Sequence, residues 1–301
     1  MRAFRVLIAS LLPNKGGKTT LITGIAYGLK EGGFKVGYFK PFSVYDWYLD
    51  YDAVITNTKY GTLFPSEIVR ISESIGIKDP YELLNPISLL TVPVKPSAFI
   101  EAKVGTFLYE YFSDIFKRAI FCRFSYYKVN EILNILYYNE WLVKRNLAIF
   151  NPANAVEKVK KRASILYRLS DYRTLSQILL NEYSRSIKTV LEYLENRYRV
   201  IFIESYKDSA WPLPWDEEVN VVLVVTPGQV MVYDFKRFKA AVYLKCSGSL
   251  PLMHVVLKDI VNMLTPLLVI ETYPISKFEV PETISEKFSN VIQYLIKVIE
   301  R

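Results

Sequence analysis

Short apolar runs alternate with glycine-rich joints at the start of the chain. Phe4 to Ser10 is apolar enough for a buried strand and Leu11 to Lys18 reads as a loop. Thr19 to Glu31 has the period of a helix, which Gly32-Gly33 stops. Lys35 to Phe39 is then a second strand. A βαβ unit at this place implies a parallel sheet with helices on its faces.

The same apolar, β-branched pattern predicts further strands at Val200 to Glu204, Val219 to Thr226, Ala240 to Lys245 and Leu267 to Glu271. Between Ser97 and Arg197, Tyr, Leu, Ile and Lys recur at spacings of three and four, the helical period. Leu180, Ile187, Leu191 and Leu194 fall on one helix face that leads into the Val200 strand. The expected architecture is therefore an α/β protein with a mostly parallel sheet flanked by helices. Residues 1–96 and 172–301 form the two parts of the sheet domain, and 97–171 a helical insertion. Pro93, Pro96 and the Asn151-Pro152 turn mark its joints.

Half of the residues are apolar, as in a packed globular chain. The net charge of +8 favours anionic partners, although lysines spread along a chain are more often a solvated surface. Cys122 and Cys246 stand alone, without a CxxC pair, which points to a reducing compartment, the cytoplasm, and away from a disulfide scaffold or a cysteine zinc site. His254, the single histidine, lies in Leu252-Met253-His254-Val255 and reads as structural. No signal peptide and no run of about eighteen apolar residues is present, so a membrane partner is not expected.

The first loop carries the chemistry. Leu12-Pro13-Asn14-Lys15-Gly16-Gly17-Lys18-Thr19-Thr20 holds the second half of G-x-x-x-x-G-K-[ST], with Leu12 where the first glycine belongs. Because it follows a strand and opens a helix, its backbone N–H groups and the positive end of the helix dipole converge on one place. Gly16 and Gly17 let the backbone approach phosphates and Lys18 reaches the β/γ oxygens. The Thr19 hydroxyl takes a position on Mg²⁺, while Asn14, Lys15 and Thr20 complete the cradle. ATP with Mg²⁺ is the expected ligand.

Further along come Gly37-Tyr38-Phe39-Lys40-Pro41-Phe42-Ser43, Asp52-Ala53, Asn85-Pro86-Ile87, Pro93, Pro96-Ser97 and Val200-Ile201-Phe202-Ile203-Glu204-Ser205. In that order they resemble the landmarks of dethiobiotin synthetase and its relatives among the P-loop NTPases. These relatives include the ATP-dependent cobyrinic acid amidases and the P-loop region of some phosphotransacetylases. The resemblance covers roughly 1–97 and 175–275. It implies a homodimer and an ATP-dependent ligase or ATPase, in which Lys40 meets an acidic substrate and Thr19, Asp52 and Glu204 hold the metal. The substrate would be a small carboxylate or amine.

Two departures qualify it. After Glu204 the chain has Ser205-Tyr206-Lys207-Asp208 and a Trp-Pro-rich loop through Trp215, in place of the glycine-rich stretch that holds substrate in that family. No counterpart of its adenine-reading asparagine follows Ala240 to Lys245, where Cys246-Ser247-Gly248 stand instead. A second reading is thus a nucleotide-dependent switch that signals through the insertion. A third is nucleic-acid binding through residues 98–197, where Tyr126, Tyr127, Tyr137, Tyr138 and Trp141 interleave with basic residues, densest at Lys158 to Arg162. An amphipathic bundle has the same composition, which makes nucleic acid the least favoured partner.

Overall fold

The structure, a computed structural model, describes residues 2–150, 152–246, 254–276 and 278–301. Asn151, Ser247, Gly248, Leu252 and Met253, which figured in the reading above, lie outside the described residues. The strands are β1 (Phe4–Ser10), β2 (Val36–Phe39), β3 (Phe42–Asp46), β4 (Ile87–Thr91), β5 (Ala119–Lys128) and β6 (Glu131–Asn139). They continue with β7 (Ile165–Leu169), β8 (Val200–Glu204), β9 (Val221–Thr226), β10 (Gln229–Tyr233) and β11 (Leu268–Glu271). The chain divides into two compact units, one of residues 1–41, 67–79 and 191–301, the other of 42–66 and 80–190.

The first unit is built on a six-stranded sheet in the order β11-β10-β9-β1-β8-β2. β1 runs parallel to β8 and β9, and β2 parallel to β8, whereas β10 and β11 are antiparallel. β8 (VIFIE) and β2 are buried along their whole length, the continuous apolar run of a parallel sheet covered on both faces. The helix α1 (Lys18–Glu31) joins β1 to β2 across β8, whereas the chain leaving β8 crosses β1 to reach β9. Connections from the neighbouring strands β1 and β8 therefore depart in opposite directions, and a crevice opens at such a switch point, outside the carboxyl ends of the strands.

Two expectations need correction in this unit. Ala240 to Lys245 is no strand but part of a helix, Phe235–Cys246. Its buried residues Phe238, Ala241, Val242 and Cys246 recur at three and four, the helical period. β10, which the apolar pattern did not suggest, is the return strand of a tight hairpin through Pro227-Gly228, with Gly228 at φ 87°.

The second unit overturns the expected helical insertion over 97–171. It holds a five-stranded mixed sheet in the order β3-β4-β5-β6-β7, to which that segment contributes β5, β6 and β7. β5 and β6 form a hairpin closed by Val129 and Asn130, both at positive φ (53° and 61°), the backbone of a type I′ turn without its usual glycine. The unit begins at β3, well before residue 97, and is discontinuous in sequence, since residues 67–79 belong to the first unit. Its core gathers Tyr45, Leu63, Leu90, Phe121, Leu136, Tyr138 and Leu142. The long helix Tyr172–Glu195 forms as predicted, but Leu179 is the buried residue and Leu180 is exposed.

Candidate functional site

The candidate site lies in the first unit. β1 ends at Ser10, whose register partner on β9 is Val225, while Ile8 stands beside Glu204 on β8. The loop that follows folds back tightly. Leu12 N–H donates to Ser10 Oγ at 3.2 Å, and Lys15 and Gly17 both take positive φ (54° and 91°). Gly16 is buried, and a Cβ there would fall 1.7 Å from Ser10 Oγ and 3.1 Å from the Leu12 carbonyl oxygen. No side chain fits at that point, so glycine is required by contact rather than by flexibility.

Gly17 is the N-cap of α1 and supplies no side-chain cap, and no acidic residue stands in the first turn. The positive end of the helix dipole and its first amide groups thus meet no compensating carboxylate of their own helix. Pro13, Asn14 and Lys15 are exposed around this helix start, and Thr19 and Thr20 are partly exposed on it. Lys18 is buried, with its Nζ donating to the Lys207 carbonyl at 2.5 Å. Burial lowers its pKa, against the opposing pull of Glu204 and then Asp208.

Beside it lies a second group of charges. Lys40 follows β2, is buried, and donates to Glu67 Oε1 at 2.6 Å and Glu204 Oε1 at 3.0 Å. Tyr38 donates its hydroxyl to Glu204 Oε2 at 2.7 Å, so both oxygens of that carboxylate are engaged. Burial works against the Lys40 charge, but Glu204 and Glu67 outweigh it and hold its pKa above the ordinary value. Burial followed by Glu204 pushes the Tyr38 hydroxyl well up, keeping it a donor.

Comparison with family models, curated proteins and solved structures gives no match.

The site must therefore be read from its own geometry. Lys18, Lys40 and Glu204 come together, as the sequence led one to expect, but Lys40 and Glu204 hold each other instead of standing free for substrate and metal. Asp52 belongs to the second unit, exposed in the first turn of the helix Tyr51–Tyr60. Among the described residues no group of three or more His, Cys, Asp and Glu is arranged to hold a metal. Of the three expected metal ligands, Thr19 alone stands partly exposed at the start of α1.

Sequence reasoning missed Glu67, Tyr38 and Asp208. Glu67 comes from the helix Ser66–Ile75, far from the other residues in the chain, and carried no motif. Tyr38 sits on β2 two residues before Lys40, a spacing that was visible in principle. The loop after β8 adds a further feature: Ser205 Oγ, Ser209 Oγ and Trp211 Nε1 are buried without hydrogen-bond partners.

Proposed function

We propose that this chain binds a nucleoside triphosphate with Mg²⁺, ATP before GTP, with the phosphates in the loop of residues 12–20. The observation that carries the reading is the pairing of Gly16, where no side chain fits, with the buried Lys18, both at the switch point of a parallel sheet. A buried ammonium that offers its proton to one backbone carbonyl is costly to the fold, and a phosphate would repay it. Lys18 would meet the β/γ oxygens, the amides of Gly16 to Thr20 the remaining oxygens, and Thr19 the magnesium ion. The metal would neutralise charge developing on the phosphates.

The enzymatic form of this proposal is an ATPase or an ATP-dependent ligase of a small carboxylate or amine, resembling the dethiobiotin synthetases with a different substrate. Two unpartnered buried hydroxyls in the loop after Glu204, those of Ser205 and Ser209, support a ligand rich in acceptors, and a carboxylate is such a ligand. Lys40 would serve it by exchanging Glu67, the less buried of its two partners, for the incoming anion. The engagement of Lys40 and Lys18 by the protein's own groups favours a second reading, a switch whose closed form these bonds hold until nucleotide arrives.

Thermal unfolding of the wild type and Lys18→Ala with Mg²⁺-ATP, Mg²⁺-GTP and neither tests the proposal. At about one hundred times its dissociation constant a ligand adds roughly 2.7 kcal/mol, a shift of a few degrees in a domain of this size. Stabilisation of the wild type alone supports the site; a shift in neither protein removes it. Phosphate release by the wild type and Lys40→Ala then separates enzyme from switch.

A further inference from the structure

A second site lies in the first unit, where the helix Phe235–Cys246 meets the stretch that leads into β9. A cavity of about 300 Å³ is lined there by Trp215, Glu218, Phe235, Lys236, Lys239 and Tyr243, among others. Trp215 and Tyr243 leave 64% and 63% of their surface exposed, and their ring centroids stand 6.0 Å apart at 40°. Lys239 fixes the Trp215 ring: its Nζ donates to the Glu217 carbonyl at 2.8 Å and lies 5.6 Å from that ring and 5.5 Å from the ring of Trp211.

The charge of the helix is as unusual as its rings. Lys236, Arg237 and Lys239 stand near its amino end, where the macrodipole disfavours cations, and the helix holds no Asp or Glu. Asp234 accepts the Arg237 backbone N–H, yet among the described residues neither the Lys236 nor the Arg237 side chain joins an ion pair. Lys236, Lys239, Ala240 and Tyr243 share one helix face, so uncompensated charge and exposed ring open on the same cavity.

We propose that this face binds single-stranded nucleic acid, stacking a base against Trp215 and Tyr243 while Lys236 meets the adjoining phosphate. The Glu218 carboxylate on the rim would accept from an exocyclic amino group of the base. A strand is favoured over a free nucleotide by magnitude. One base on one open ring strengthens binding only about ten- to a hundredfold, which leaves a mononucleotide in the millimolar range, whereas a strand adds its other phosphates. The site is separate from the phosphate loop: it adjoins the chain entering the amino end of β9, whereas that loop follows the carboxyl end of β1.

Fluorescence anisotropy of a labelled oligodeoxycytidylate of about 20 nucleotides, whose bases carry the exocyclic amino group, tests it on the full chain. The expected result is binding that weakens steeply between about 50 and about 200 mM salt. It should fall about tenfold or more in both Trp215→Ala and Lys236→Glu, and stay unchanged in Lys18→Ala. Both altered side chains are exposed, so the variants keep the wild-type melting temperature. Absence of binding by the wild type would overturn the proposal, as would binding that neither variant weakens. So would preference for vesicles of phosphatidylcholine and phosphatidylserine over the oligonucleotide, which would assign the rings and lysines to a membrane surface. The Lys18→Ala arm keeps the failure of this site distinct from that of the nucleotide site.

Discussion

The ammonium of Lys18 donates to the carbonyl of Lys207 at 2.5 Å, and Lys207 presents that carbonyl from a left-handed backbone, φ 48°. A buried lysine answered by a strained turn contributes little to the fold. Its pKa is lowered by burial, so relative to the unfolded chain its protonation opposes folding: stability falls as pH drops below the usual lysine value and stays reduced at neutral pH. Lys18→Met should accordingly unfold at a temperature no lower than the wild type without ligand, and higher at pH 7 than at pH 10 relative to it. It should also lose any stabilisation by Mg²⁺-ATP. Calorimetry at the two pH values checks both halves.

Gly16→Ala sets contact against flexibility. The new methyl would overlap Ser10 Oγ at 1.7 Å and approach Ser10 Cβ at 2.8 Å, so the loop must shift off β1. A loss of about 2–3 kcal/mol is expected, the cost of overpacking at a site that cannot give. The double variant Ser10→Gly, Gly16→Ala removes both overlapping atoms and should recover part of that loss, whereas a glycine needed only for its conformation would not be rescued. Urea titration of the two variants decides between them.

The strand, loop and helix at the start of the chain were legible in the sequence because their determinants are local. β1, Gly16-Gly17, Lys18 and α1 lie within one continuous stretch whose period changes from strand to helix. Lys40 and Glu204 were legible as strand-end charges, but their pairing was not, because β2 and β8 become neighbours only through the crossover. The second unit was misread for a different reason. β5 is a central strand buried on both faces, so AIFCRFSYYK shows no alternation, and its hairpin turn Val129-Asn130 lacks the Asn-Gly or Asp-Gly signature. Tyr126 and Tyr138, taken as candidates for stacking or for a helical core, are core residues of that sheet.

Lys40→Met isolates the charge relation at the end of β2. In the wild type the Lys40 pKa is raised and the Glu67 pKa is lowered: burial opposes both charges, and the attraction of each for its partners exceeds it. The lysine's contribution is present below its usual value of 10.5 and is lost as pH rises through the folded value. That of Glu67 is present above its usual 4.5 and is lost as pH falls through the folded value. Stability from this group should thus be level between those limits. In the variant Glu67 loses the lysine that lowers its pKa and Glu204 loses its ion-pair partner, so the variant's deficit should grow as pH rises through the usual Glu67 value. At neutral pH a deficit of about 3–5 kcal/mol is expected, as for other broken buried pairs. Chemical denaturation of both proteins across pH checks it; a deficit that stays constant across pH would show that Lys40 does not lower the Glu67 pKa.

Arg123 plays in the second unit the part of a structural cation with no carboxylate in its hydrogen-bonding shell. It projects from β5, fully buried, and its guanidinium donates to the carbonyls of Leu63 at 2.8 Å, Asn85 at 2.6 Å and Pro86 at 3.3 Å, and to the Ser125 hydroxyl. Burial lowers its pKa, partly offset by Glu82, but a planar guanidinium stays charged and its five donors suit a fan of carbonyls. The three carbonyls belong to segments before α/β elements far apart in sequence, so the one side chain ties the turn at Leu63 to the entry of β4 and to β5. Arg123→Leu keeps the bulk and removes the donors, leaving the Leu63 and Asn85 oxygens short of this partner at about 1–3 kcal/mol each. Arg123→Lys keeps the charge but cannot span the fan, and should recover less than half of the loss. Near-ultraviolet dichroism, to which the unit's packed Trp47, Tyr45 and Tyr138 contribute, would report loosening of this sheet in Arg123→Leu, while any stabilisation by nucleotide at the first unit's loop would persist wherever the chain remains folded.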